Sequence, residues 1–141
     1  VIIIRSHVVS EKKGSLFMEA MVSVAIGSGI GAVLRYGVTI LANLHGGMEF
    51  SYGTILVNLI GSFCIGVLFV FFASHTELSP YVKLFFVTGL LGGFTTFSTY
   101  NMELLTMAIS GQLFHALLYL CLHVVGGFLC CWLGFAVGQG I

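Results

Sequence analysis

The sequence predicts an all-α membrane protein with four transmembrane helices, the third of them broken near its middle. Three observations carry that prediction. Only 7% of the 141 residues are charged while 58% are hydrophobic, whereas a soluble domain has roughly a quarter of its residues charged. Four apolar runs each reach the about 20 residues that a helix needs to cross a hydrocarbon core. Inside the third run, GGFTTFSTYN (residues 92–101) sets two glycines and five hydroxyl side chains at a depth where lipid leaves unpaired backbone groups no partner.

In chain order, residues 1–17, VIIIRSHVVSEKKGSLF, read as a non-native or misannotated N-terminal extension, or as a mobile, disordered tail, ahead of a single four-helix domain over residues 18–141. The basic residues of that segment follow its short apolar stretch, the reverse of a signal peptide, and Met18 opens a membrane-like entry, MEAMVSVAIGSGIG. The first span is expected over residues 20–42, with Arg35 as its single charge. The second covers residues 52–73 and has one strongly polar side chain, Asn58. The third, residues 81–110, contains the polar motif and Glu103; the fourth, residues 113–137, carries His115 and His123. The connections are short: LHGGMEFS, SHTELSP and the turn Ser110-Gly111-Gln112.

Charge says little about orientation. Without the tail, only Lys83 lies on the N-terminal side of the membrane, and Arg35 lies towards the opposite end of the first span. The positive-inside rule then has almost nothing to act on. A chain so balanced can insert both ways, which is the physical precondition for an antiparallel dimer. Net charge is zero, so no basic face argues for nucleic acid.

Small residues recur four apart at Gly27 and Gly31, Gly89 and Gly93, and Gly134 and Gly138, a spacing that lets helix backbones approach closely in lipid. Gly53, Gly61 and Gly66 suit the same tight packing in the second span. The GSGIG run at residues 27–31 follows no strand and lacks the dinucleotide fingerprint, so it reads as a packing surface. The cysteines, Cys64, Cys121, Cys130 and Cys131, match no zinc or haem spacing and read as small buried hydrophobes.

Polar groups at membrane depth are costly and therefore functional by default. Here they are Arg35, Asn58, the run from Thr95 to Asn101, Glu103 and His123. The spans hold no pair of carboxylates and no Ser–His–Asp set, and Glu103 with scattered histidines makes no metal site. The inventory describes a permeation path, not an active site. Asn58 serves either as a helix-to-helix hydrogen bond or as a neutral N–H donor to a passing anion. Arg35 either snorkels to the interface or makes a vestibule positive. At Gly92-Gly93 the helix can unwind while hydroxyls and neighbouring chain satisfy the freed backbone, and released carbonyls offer a hard oxygen site for a small cation.

GAVLRYGV in the first span, GTILVNLIGSFCIG in the second, GGFTTFSTYNMELL in the third and Tyr119 in the fourth occur in order. On these motifs, nearly all of residues 19–140 closely resembles the Fluc (CrcB) family of fluoride channels. The resemblance implies a dual-topology dimer of antiparallel subunits in the lipid bilayer, with a pair of fluoride pores. The partner is an identical chain or a paralogous subunit. It also implies a structural Na⁺ at the dimer centre, held by the backbone carbonyls of Gly92 and Thr95. By motif position the pore residues are Asn58, the aromatic pair Phe97 and Tyr100, the polar path of Ser98, Thr99 and Glu103 with Tyr119, and the basic Arg35. The implied function is passive export of cytoplasmic fluoride across the cell membrane, and so fluoride resistance. Two features depart from the family pattern: Tyr100 stands where Phe is usual, and His123 and Gly127 stand where small hydroxyl residues are expected. The rival is a small multidrug-type proton-coupled transporter, also a four-span dual-topology dimer. It needs a carboxylate deep in its first helix, and here Glu19 lies only at the edge of that span. A structural membrane subunit without transport is the third reading.

Overall fold

The computed structural model describes residues 2–45 and 51–140, with side chains over 14–44 and 51–140. Most of the LHGGMEFS connection therefore lies outside the described residues. Among the described residues the chain is entirely helical. The order is α1 (Ile2–His45), α2 (Tyr52–Ser74), α3 (Pro80–Lys83), a π-helical stretch (Leu84–Leu91), α4 (Gly92–Phe94), α5 (Phe97–Ile109), α6 (Leu113–Cys121), a π-helical turn (Leu122–Gly126) and α7 (Gly127–Gly138). Four stretches are long and apolar enough to cross a membrane: Gly14–Leu44, Tyr52–Ser74, Pro80–Ile109 and Leu113–Gly138. The last three agree with the sequence expectation to within about a residue at each end. The first starts earlier than residue 20, and α1 continues back through the segment read as a tail.

Local chemistry sets the helix ends. Pro80 occupies the first helical position after Ser79, whose hydroxyl accepts from the Tyr81 N–H at 3.4 Å; its missing N–H is no loss there. The Ser110-Gly111-Gln112 turn closes α5 with Gly111 at φ 76°, a left-handed conformation that glycine adopts without strain. The Gly111 N–H donates to Ala108 O at 3.2 Å and the Gln112 N–H to Met107 O at 3.0 Å, which satisfies two carbonyls the helix end would otherwise orphan.

The glycines form two close seams. A Cβ at Gly27 would overlap the Phe85 carbonyl, and one at Gly31 the Leu90 carbonyl; from the other side, Gly89 and Gly93 press on the Val24 and Ser28 carbonyls. This joins α1 to the first half of the third span. Gly66 against the Cys131 carbonyl, and Gly134 against the Phe63 carbonyl, join α2 to α7 in the same way. Since lipid is as apolar as any side chain, such backbone approach is what holds helices together in a bilayer.

The remaining side chains are turned inside out relative to a soluble protein. Only 11–22% of each apolar window is buried within the chain, and Val33, Ile109, Phe114 and Phe128 are all exposed. A small core of Ile55, Tyr100, Met107, Ala116 and Tyr119 lies where α2, α5 and α6 meet. That core fixes the second half of the third span beside α2, and so positions the helix break.

Candidate functional site

Two residues make the break. Thr95 (φ −84°, ψ 160°) and Thr96 (φ −149°, ψ 116°) are extended. An unbroken helix would send the Thr96 N–H to the Gly92 carbonyl and the Thr99 N–H to the Thr95 carbonyl. Both donors go elsewhere. The Thr96 N–H donates to Asn58 Oδ1 at 2.8 Å, and Asn58 Nδ2 donates back to the Thr96 carbonyl at 3.0 Å. The Thr99 N–H donates to Thr96 Oγ1 at 3.2 Å, an N-cap that starts α5. Thr96 Oγ1 in turn donates to Thr99 Oγ1 at 2.9 Å and lies 3.4 Å from Ser98 Oγ. On the other side of the break, the Thr95 N–H (3.0 Å) and hydroxyl (2.9 Å) both donate to the Leu91 carbonyl. The carbonyls from Gly92 to Thr95 all lose their helical donors at the break, those of Gly92 and Thr95 among them.

Asn58 is a two-point clamp, so its helix-to-helix role is real. The amide spends its oxygen and one N–H on Thr96. An amide nitrogen carries two hydrogens, and the second meets no acceptor among the described residues. Beside it opens a cavity of about 430 Å³, walled by Asn58 and Ser62 of α2, by Gly92, Thr95 and Phe97 at the break, and by Tyr100 and His123.

The aromatic pair divides unequally. The Phe97 and Tyr100 rings lie 5.5 Å apart at 39°, but Phe97 is 75% exposed while Tyr100 is 4% exposed. Tyr100 stacks on Tyr119 (5.7 Å, 25°) and lies 4.3 Å from the His123 ring. Tyr119 is fully buried and donates its hydroxyl to Glu103 Oε2 in a short hydrogen bond. The other carboxylate oxygen, Oε1, accepts from Ser51 Oγ at 2.6 Å and Thr54 Oγ1 at 3.0 Å. Glu103 is therefore ringed by hydroxyls, the donors that an acceptor-only carboxylate requires at membrane depth.

The structure thus gathers Asn58, Gly92, Thr95, Phe97 and Tyr100 around one cavity, with Ser98 and Thr99 at the capping turn and Glu103 with Tyr119 beside Tyr100. Arg35 stands apart, half-buried on α1 and outside the cavity wall. Sequence reasoning assigned no specific role to Thr96, whose backbone and hydroxyl organise the break, or to Ser51 and Thr54, which hold Glu103. The spacing of Thr96 and Thr99 was the available signal for the cap. No local pattern links Ser51 to Glu103, 52 residues away.

Residues 22–135 match the family described as CrcB-like protein, Camphor Resistance (CrcB). Among curated relatives, the chain is 36% identical over 122 residues to a protein of Flavobacterium psychrophilum, covering 86% of this chain and 98% of the relative. It is 40% identical over 122 residues to one of Chloroflexus aurantiacus, with 86% and 97% covered. It is 41% identical over 115 residues to one of Burkholderia pseudomallei, with 82% and 89% covered. Each of the three is named a fluoride-specific ion channel, FluC.

Proposed function

The chain belongs to the CrcB-like family of multi-pass membrane proteins, which are not enzymes, and on that premise we propose that it is a fluoride-selective channel giving passive export of cytoplasmic fluoride across the cell membrane. The observation that carries the reading is the cavity at the break, where a clamped neutral amide and two aromatic rings meet with no carboxylate on the wall. Fluoride is small and strongly hydrated, so its pore must replace water without binding too tightly. The free N–H of Asn58 offers one neutral donor. The positive edges of Phe97 and Tyr100 stabilise an anion more weakly than a charge would. Weak sites in series let the ion leave again, as conduction requires. The hydroxyls of Ser51, Thr54 and Tyr119, fixed by Glu103, continue the polar path from Tyr100. Arg35 serves from the first span as a cation that concentrates anions at the mouth.

The working unit in this reading is an antiparallel, dual-topology dimer, of two identical chains or of this chain with a paralogous subunit. The exposure of Phe97 beside a half-formed wall supports it. A structural Na⁺ at the dimer centre fits the carbonyls of Gly92 and Thr95, because hard oxygens without helical donors suit a small cation. When bound, it would tie the two breaks together and offset nearby anion charge.

The deciding experiment is fluoride efflux from liposomes containing the purified chain, followed with an ion-selective electrode and no coupling gradient. Flux is expected. A well-folded dimer that passes no fluoride would sink the proposal, and proton-coupled export of organic cations would favour the multidrug-type rival.

A further inference from the structure

Gly61 is buried on α2, three residues beyond Asn58, a spacing that puts both on one face of the helix. The glycines of the two seams meet backbone carbonyls of the neighbouring helix. Gly61 meets a side chain instead: a Cβ there would overlap the methyl of Thr95, with the Phe94 ring next at 3.7 Å. Thr95 cannot simply turn that methyl away. Its N–H (3.0 Å) and its hydroxyl (2.9 Å) both hold the Leu91 carbonyl, and a β-branched side chain has few χ1 states to begin with. With the hydroxyl fixed, the methyl fills the hollow left by the missing side chain of Gly61.

The second span therefore grips both extended residues of the break. Asn58 clamps the Thr96 backbone with two hydrogen bonds, and Gly61 receives the Thr95 side chain. A side chain at position 61 would leave two escapes. Rotating Thr95 about χ1 takes its hydroxyl off the Leu91 carbonyl. Moving the break away from α2 stretches both Asn58 bonds. Each loosens the backbone around the Thr95 carbonyl, one of those freed at the break. We propose that Gly61 is a positioning residue for the cation site: by seating the Thr95 methyl it fixes the aim of the Thr95 carbonyl, and so the affinity for Na⁺. This rests on the reading of a central Na⁺ given above.

The test is thermal unfolding of the full chain in detergent while NaCl replaces N-methylglucamine chloride at constant ionic strength. A cation held only by the folded protein raises the midpoint as its concentration climbs past the dissociation constant. Wild type should respond to Na⁺. Gly61→Ala should need at least about tenfold more Na⁺ for the same rise, the usual loss when a group that supports a metal ligand is altered. Rescue separates positioning from packing. Thr95→Ser keeps the hydroxyl and lacks the methyl, so Gly61→Ala combined with Thr95→Ser should respond at the same Na⁺ concentrations as Thr95→Ser alone. Gly138→Ala, whose new Cβ presses on Val70 near the far end of α2, should lower the midpoint equally with and without Na⁺. A wild-type response that Gly61→Ala leaves unchanged would overturn the proposal, as would a shift that Thr95→Ser fails to rescue or that Gly138→Ala reproduces. If Gly61→Ala does not fold, the double variant decides by the same comparison, and its failure to fold also overturns the proposal. A wild type indifferent to Na⁺ would sink the Na⁺ reading itself, and Gly61's role with it.

Discussion

Replacing Asn58 by Ala tests how the break is held. The substitution removes both bonds to Thr96, at 2.8 and 3.0 Å. Each neutral hydrogen bond contributes about 0.5–1.5 kcal/mol net, and interhelical bonds measured in membranes average about 0.6, so the two together are worth about 1–3 kcal/mol. The orphaned Thr96 N–H then has one internal alternative, the Gly92 carbonyl that an unbroken helix would give it. Taking it recovers one bond of the two and closes one of the carbonyls of the proposed Na⁺ site. The variant should therefore be less stable by about 1–2 kcal/mol, at the lower end because water in the adjoining cavity can solvate the freed groups. Fluoride flux should fall at least about tenfold, since each 1.4 kcal/mol lost from the passing ion's stabilisation is a factor of ten. Thermal unfolding in detergent reads the first quantity and liposomal efflux the second. Wild-type flux together with an unchanged unfolding midpoint would refute the clamp.

Gly31→Ala should lower stability by about 1–3 kcal/mol in the same unfolding assay, because overpacking forces the backbone apart where the new Cβ meets the Leu90 carbonyl. Gly29→Ala, with open space around it, should change nothing measurable; equal effects at the two sites would refute the seam. Tyr119→Phe takes a hydroxyl donor from Glu103 and should destabilise by about 1–3 kcal/mol, as for a buried acceptor left short of a partner. Its flux should fall while its size-exclusion profile matches that of the wild type, and full flux would remove Tyr119 from the path. Deleting residues 1–17 should leave membrane insertion, the size-exclusion profile and flux intact, because the family match begins at residue 22; loss of flux would make that segment part of the proposed channel.

The spans were legible because crossing lipid demands length and hydrophobicity, both visible in any window of the chain. The glycine seams were legible for a related reason: a residue that lacks a Cβ announces close approach, and Gly27, Gly31, Gly89 and Gly93 all meet backbone. The polar motif marked the break, since so many hydroxyls within a span need an explanation. Its internal wiring was not visible. Asn58 and Thr96 are 38 residues apart, and their pairing exists only once α2 lies beside the third span. The same holds for Ser51 and Thr54 around Glu103. The unequal exposure of Phe97 and Tyr100 was hidden too, because adjacent turns of one helix look alike until the neighbouring helices take their places. The entry of the first span was less legible, because α1 runs on as one helix ahead of residue 20 through polar positions such as Ser15 and Glu19.

The π-helical turn at Leu122–Gly126 has a consequence for the fourth span as a whole. A turn closed from i to i+5 takes in one residue more than an α-turn, and each residue rotates an α-helix by about 100°. The span therefore runs in two phases, like a screw recut partway along its thread. Above the turn its phase presents Ala116 and Tyr119 inwards; below it, the phase brings Gly134 and Gly138 to α2. Excising a single residue there would leave composition and hydropathy almost untouched, yet turn one half of the helix away from whichever neighbour the other half still meets.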